Sequence, residues 1–66
     1  MEPIYPNICI ALSTSDGNAF VIISKCRSNM RRAGISVDKI EEFTAEAQSG
    51  DYDKVLQTVM KYFNTN

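Results

Sequence analysis

Apolar and polar residues alternate near the start of the chain. In the stretch "NICIALS", residues 7–13, Ile8, Ile10 and Leu12 fall on one side, and smaller or polar residues fall on the other. A period of two with β-branched residues is typical of a half-buried β-strand. Two prolines keep residues 1–6 extended and exclude a helix there. The pattern therefore predicts a loose N-terminus followed by one strand.

The next stretch, "SDGNAFVIISK" at residues 15–25, has two interpretations. Asp16-Gly17 is a tight-turn dipeptide, which would make residues 19–24 the second strand of a β-hairpin. Asn18 is also a good helix N-cap, and apolar positions 19, 23, 26, 30 and 33 follow the spacing of one helix face. We favour the helix because it accounts for more positions, and the hairpin stays open as the alternative.

This first predicted helix has suitable residues at its far end. Phe20 and Ile22 widen its apolar face. Gly34 suits the position after its last turn, and Arg31 and Arg32 suit the negative end of the helix dipole. The helix is therefore predicted to end just before Gly34.

Two further helices are marked by caps and by apolar spacing. Ser36 caps the second helix, Ser49-Gly50 ends it, and Asp51 caps the third. Their predicted buried residues are Val37, Ile40, Phe43 and Ala47 in the second helix, and Tyr52, Val55, Leu56, Val59 and Phe63 in the third. Residues 64–66 are predicted to fray.

The predicted order is one N-terminal strand followed by three helices, an α+β class, in a single small domain over residues 1–66. A single strand leaves its backbone donors and acceptors without partners. Two solutions follow. Either the hairpin supplies a second strand before two or three helices, or the strand pairs with a second copy of the chain in a homodimer through residues 7–13.

Composition indicates a small folded protein without a strong overall charge. The chain has 66 residues, 44% of them hydrophobic, and its net charge of −1 gives no general attraction to nucleic acid or to an anionic membrane. It shows neither a secretory signal nor an apolar run long enough to span a membrane. Cys9 and Cys26 are too few for a disulfide framework, so we predict a cytoplasmic protein with reduced thiols.

Motifs for catalysis or metal binding are missing from the sequence. It has no histidine, no complete calcium-binding loop and no GxxxxGK[ST] phosphate loop. Cys26 falls on the apolar stripe, and Cys9 has no activating partner. Glu42 and Glu46, one helical turn apart, are more typical of a solvated helix face than of a catalytic pair. We therefore predict no enzymatic activity, no catalytic residue, no metal and no cofactor.

Charge is separated along the helical region. Residues 18–35 carry four positive charges and no negative ones, whereas residues 36–53 carry six negative charges and one positive. The candidate basic surface consists of Lys25, Arg27, Arg31 and Arg32. The candidate acidic surface consists of Asp38, Glu41, Glu42 and Glu46. The simplest interpretation is a weak attraction between the two helices, and the functional one is a surface that docks a protein partner.

Nucleic acid is the alternative partner. The stretch "RRAGISVDKIEEF" is similar in its turn to a helix-turn-helix unit. The helix that would enter the major groove is acidic, however, and DNA phosphates would repel it. Binding through the basic first helix alone stays open.

The stretches "DGNAF", "AGIS…IEEF…EA" and "SGDYDKVLQTVMKYF" resemble a group of short, uncharacterised bacterial and bacteriophage proteins, from about Ile8 to Phe63. The resemblance implies a bacterial or prophage accessory protein, and it brings no activity, cofactor or site residue. We therefore predict a small non-enzymatic interaction or adaptor protein. The alternative is a nucleic-acid-associated accessory protein that binds through its basic first helix.

Overall fold

Residues 19–24 are helical in the computed structural model of the protein, which describes residues 2–12 and 18–65. The elements follow in the order β1 (Tyr5–Ile10), α1 (Ala19–Arg32), α2 (Val37–Ala47), α3 (Tyr52–Tyr62) and β2 (Phe63–Thr65). The predicted N-terminal strand and three helices of an α+β fold are therefore confirmed, and the hairpin alternative is wrong. The turn predicted between the strand and Asn18 lies outside the described residues.

The helices begin where the sequence predicts. At the start of α1, Asn18 Oδ1 accepts a hydrogen bond from the Phe20 N–H at 2.9 Å. At the start of α3, Asp51 Oδ1 accepts one from the Lys54 N–H at 3.2 Å. Ser36 holds the N-cap position of α2, but its side chain makes no capping hydrogen bond with the residues that the structure describes. The sequence thus predicts all three N-cap positions, but the capping hydrogen bond that it predicts from Ser36 is not formed among the described residues.

The turn after α1 depends on a glycine. Gly34 has a φ of 81°, in the left-handed region that residues with a Cβ avoid. Its N–H donates to the Arg31 carbonyl at 3.1 Å, and the Ile35 N–H donates to the Met30 carbonyl at 3.1 Å. These two hydrogen bonds form a Schellman motif, which satisfies the last carbonyls of α1 and directs the chain towards α2.

A parallel two-stranded sheet joins the two ends of the described chain. Tyr5 of β1 lies opposite Phe63 of β2, and Ile10 lies opposite Thr65. Between these pairs the register is irregular, and Pro6, which lies in this part of β1, has no N–H to donate to the ladder. The Asn64 side chain donates a hydrogen bond to the Pro6 carbonyl oxygen.

Fraying of residues 64–66 is therefore wrong for Asn64 and Thr65, since both belong to β2. Asn66 lies outside the described residues. The sequence also predicts a loose segment over residues 1–6, but β1 already begins at Tyr5, and the Ile4 N–H donates to the Lys61 carbonyl at 3.1 Å.

The homodimer was predicted because β1 needed a partner strand. β2 now pairs with β1 within the same chain, so a second copy is not required for that purpose. Pairing of two copies through residues 7–13 stays a prediction.

Four aromatic side chains pack together between β1, the middle of α2 and the C-terminal strand. The ring centroids of Phe43 and Phe63 lie 5.4 Å apart, and those of Phe43 and Tyr62 lie 5.1 Å apart, both in edge-to-face geometry. Tyr5 covers Phe63 from β1 with the two centroids 6.1 Å apart. We call Tyr5, Phe43, Tyr62 and Phe63 the aromatic cluster. Phe43 and Phe63 are buried in it.

The rest of the core follows the predicted stripes. Its other buried apolar members are Ile10, Ile22, Ile23, Cys26, Met30, Ile40, Ala47, Val55 and Val59. Four residues assigned to buried faces are instead exposed. Phe20 and Val37 each keep 72% of their surface accessible, Tyr52 keeps 38%, and Ala33 is also exposed. Each helix therefore buries a narrower stripe than its apolar residues suggest.

The position of Phe63 leads to a stability prediction. Phe→Ala at a buried aromatic site costs about 3–5 kcal/mol. A domain of this size has a free energy of unfolding of roughly 3–10 kcal/mol. We therefore expect Phe63→Ala to remove about a third or more of the free energy of unfolding, and Phe63→Leu to remove a smaller share. Urea denaturation followed by circular dichroism measures both.

The matched control is Met60→Ala, because Met60 lies three residues earlier and is 51% exposed. We expect it to change the free energy of unfolding by less than about 0.5 kcal/mol. If Phe63→Leu and Met60→Ala had equal effects, β2 would not be part of the folded core.

Candidate functional site

Helix α1 presents its positive charge on the side away from the core. Its buried residues are Ile22, Ile23, Cys26 and Met30. Arg31 and Arg32 are exposed in its last turn, and Lys25 is half-buried. No acidic residue occurs anywhere in α1. Arg31 and Arg32 make no ion pair with any residue that the structure describes. We call the outward side of α1, from Phe20 to Arg32, the basic face.

Arg27, the fourth predicted basic residue, turns towards α2 instead. Its Nη1 donates to Thr44 Oγ1 at 3.2 Å and lies 3.8 Å from Glu41 Oε2. Thr44 Oγ1 in turn donates to the Ile40 carbonyl at 2.8 Å. The structure thus divides the predicted basic set, because Arg27 connects α1 to α2 while Arg31 and Arg32 are exposed and make no ion pair with the described residues.

Three of the four predicted acidic residues form ion pairs within the chain. Glu41 faces Arg27 of α1, as described above. Glu42 lies 3.6 Å from Lys39 on the same helix. Glu46 lies 2.8 Å from Lys61 of α3. These partly exposed pairs add little stability each, but they reduce the charge of the acidic surface. Asp38 has no such pair among the described residues.

Glu46 is the most engaged of these carboxylates. One oxygen accepts from Lys61 Nζ at 2.8 Å, and the other accepts from the Tyr62 hydroxyl at 3.3 Å. The hydrogen bond from Lys61 lowers the pKa of Glu46. Burial, together with the negative charge of Glu46, raises the pKa of Tyr62. At neutral pH Glu46 is therefore ionised and Tyr62 is protonated, which are the forms in which the carboxylate accepts both hydrogen bonds.

A shallow groove of about 480 Å³ follows the basic face. It is lined by two neighbouring rows of side chains, each with a spacing of four residues along α1. One row consists of Phe20, Ser24, Ser28 and Arg32, and the other consists of Val21, Lys25 and Asn29. The serine side chains are short, so the groove opens between an aromatic residue at one end and an arginine at the other. We call it the α1 groove.

A second groove, of about 340 Å³, meets the first at Phe20. Ile23, Tyr52 and Val55 supply apolar side chains to it, and Gly50 and Asp51 also line it. This apolar groove lies between the beginnings of α1 and α3. The two grooves therefore share one exposed aromatic side chain.

Sequence reasoning found the arginines of this surface but missed Phe20 and Tyr52. Both were assigned to buried faces because they are aromatic and adjoin apolar stripes. One step along a helix turns by 100°, so Phe20 lies well away from the stripe that begins at Ala19. The helical angle of Phe20 alone therefore places this residue on the outside of α1, whatever its apolar character.

The two cysteines are both free thiols and differ in environment. Cys26 is buried in α1, and burial raises its pKa from 9.0 to about 12. It is therefore a protonated core residue at neutral pH rather than a nucleophile. Cys9 is exposed on β1.

Within residues 2–12 and 18–65, no three Asp, Glu or Cys side chains come together as a metal site would need. The same part of the chain contains no helix with the length and apolar character to cross a membrane.

Comparison of the chain with protein-family models, with curated proteins and with solved structures finds no match. The resemblance to short bacterial and bacteriophage proteins therefore stays a prediction.

Burial of Cys26 gives a testable pH dependence. Folding raises the pKa of the Cys26 thiol from 9.0 to about 12. The protonated thiol therefore contributes its full stability below about pH 9, and this contribution is lost as the pH rises towards 12. We expect this residue to lower the free energy of unfolding by up to about 1.4 kcal/mol per pH unit in that window. Urea denaturation at about pH 8 and about pH 10.5 measures the difference.

Cys26→Ala removes the ionising group and should reduce this alkaline loss. Cys9→Ala is the control, because it removes the exposed thiol and keeps the buried one. Equal alkaline losses in the unmodified chain and in Cys26→Ala would show that Cys26 is not protected from ionisation.

Proposed function

We propose that this protein is a small, non-enzymatic interaction module that docks an acidic protein partner on the basic face of α1. The observation that supports the proposal is that the negative charges of α2 have ion-pair partners within the chain more often than the positive charges at the end of α1. The acidic residues of α2 are largely paired within the chain, whereas Arg31 and Arg32 make no ion pair with any of the described residues.

This inequality favours the basic face over the acidic surface as the docking site. An acidic surface whose members already have cationic partners gains less from a second cation. Two adjacent arginines in the last turn of α1 are exposed and available to carboxylates. Arginine also makes bidentate hydrogen bonds to carboxylate groups, which gives orientation as well as attraction.

A protein partner fits this surface better than nucleic acid does. The chain as a whole has a net charge of −1, so it lacks the general attraction for a polyanion. Arg27 is engaged with α2, and the exposed cations of α1 are Arg31 and Arg32. Proteins that bind duplex DNA commonly neutralise about 6–10 phosphates. Two exposed arginines near an acidic helix fall well short of that number.

The origin and compartment belong to the same proposal. A bacterial or prophage accessory protein acting in the cytoplasm, with reduced thiols, is consistent with the free Cys9 and Cys26.

The test uses the isotopically labelled chain and three probes. They are a fluorescent peptide of alternating Glu and Ser, the same peptide with Gln for Glu, and a short duplex DNA. We expect the acidic peptide to shift the amide signals of α1 and to bind more tightly than the neutral peptide. The affinity should fall as salt rises from about 50 to about 300 mM, since the contact is an exposed charge pair.

Arg32→Glu and Lys39→Glu form a matched pair, because each reverses one exposed charge on a helix. We expect Arg32→Glu to weaken binding of the acidic peptide by about fivefold and Lys39→Glu by less than about twofold. Equal losses would show a nonspecific charge effect and contradict the proposal. Tighter binding of duplex DNA, abolished by Arg32→Glu, would favour the nucleic-acid function instead.

A further inference from the structure

The side chains that line the α1 groove fall into rows that a second helix can pack against. Its walls are two adjacent rows, and in each row the residues follow one another at intervals of four along α1. When helices pack, a ridge of residues four apart on one helix enters a groove between two such rows on the other. Ser24 and Ser28 lie in the middle of the groove and allow a close approach. The α1 groove can therefore receive a ridge of side chains from a second helix.

The two ends of the groove differ in chemistry. Phe20 is 72% exposed at one end, where the apolar groove with Tyr52 and Ile23 begins. Arg32 lies at the other end, with Arg31 beside it. Phe20 and Arg32 are separated by twelve residue steps along α1, which span about 18 Å at about 1.5 Å per step.

Phe20 and Tyr52 are also set apart from the other aromatic residues. The chain has six aromatic residues, three Phe and three Tyr, and four of them form the aromatic cluster. Phe20 and Tyr52 instead border one groove at the surface. Exposed aromatic side chains that border a groove are suited to receive an apolar anchor from a partner.

We infer that the partner of this surface is an amphipathic acidic helix, with an apolar anchor at one end and carboxylates about three turns further along the same face. The inference rests on the proposed function and specifies its partner. The anchor enters the apolar groove against Phe20 and Tyr52, a ridge of the helix lies in the α1 groove, and the carboxylates meet Arg31 and Arg32. The charge complementarity therefore determines which end of the partner helix lies next to Phe20 and which lies next to Arg31 and Arg32.

The experiment uses two synthetic helical peptides of the same composition. Each has two Leu one turn apart near one end and two Glu about three turns further along. In the same-face peptide the Glu pair shares the Leu face, and in the opposite-face peptide it lies on the other side. Fluorescence anisotropy gives both dissociation constants, and we expect the same-face peptide to bind about tenfold more tightly.

Two variants separate the apolar and charged contacts. Phe20→Ser should weaken binding of the same-face peptide by about fivefold to tenfold, since burial of one large apolar side chain is lost. Met60→Ser is the matched control, because Met60 is an exposed apolar residue of α3 outside both grooves. It should change the affinity by less than about twofold. Circular dichroism checks that each variant stays folded.

The outcomes distinguish this inference from the proposed function. Weakening by both Phe20→Ser and Arg32→Glu supports the amphipathic acidic helix. Weakening by Arg32→Glu alone, or equal binding of the two peptides, overturns the inference and leaves the basic docking face standing. Weakening by Phe20→Ser alone, or by neither variant, overturns both.

Discussion

The contact between Phe43 and Phe63 is the interaction on which the rest of this fold depends. Phe43 lies in the middle of α2, and Phe63 is the first residue of β2, so their packing connects the centre of the chain to its C-terminal strand. Tyr5 then covers Phe63 from β1. A short pair of parallel strands has little stability of its own. β1 and β2 are also far apart in the chain, and they meet only because the three helices between them pack together. The aromatic cluster supplies the buried surface that holds the pair in place.

The helices could be predicted from the sequence because their signals are local. Asn18, Gly34 and Asp51 each act within a few residues, and the apolar spacing of each helix is contained in its own segment. β2 could not be predicted in the same way. It has only three residues, too few to show a period of two, and its partner lies more than fifty residues earlier in the chain. The sequence therefore predicts fraying at the C-terminus, and it offers β1 a partner only in the hairpin or in a second copy of the chain.

Prediction of the surface had a similar limit. Charge type is visible in the sequence, so Lys25, Arg31 and Arg32 could be assigned to the outside of α1. Which charges face each other is a tertiary property, and the engagement of Arg27 with Thr44 and Glu41 depends on how α1 lies against α2. The exposure of Phe20 and Tyr52 is not predicted for a different reason, which concerns their own side chains rather than their neighbours. Their hydrophobic character predicts burial, although apolar atoms make up a large part of any folded surface.

The same packing that stabilises the chain also determines which surface stays available. α2 lies between α1 and α3, and its glutamates reach Arg27 on one side and Lys61 on the other. Each of these contacts reduces the charge of an acidic residue, and none of them involves Arg31 or Arg32. The internal use of negative charge therefore leaves positive charge in excess at the end of α1. Because Phe20 lies on the same side of that helix, the uncompensated charge and the exposed aromatic ring belong to one continuous surface, which is why we assign both to a single partner.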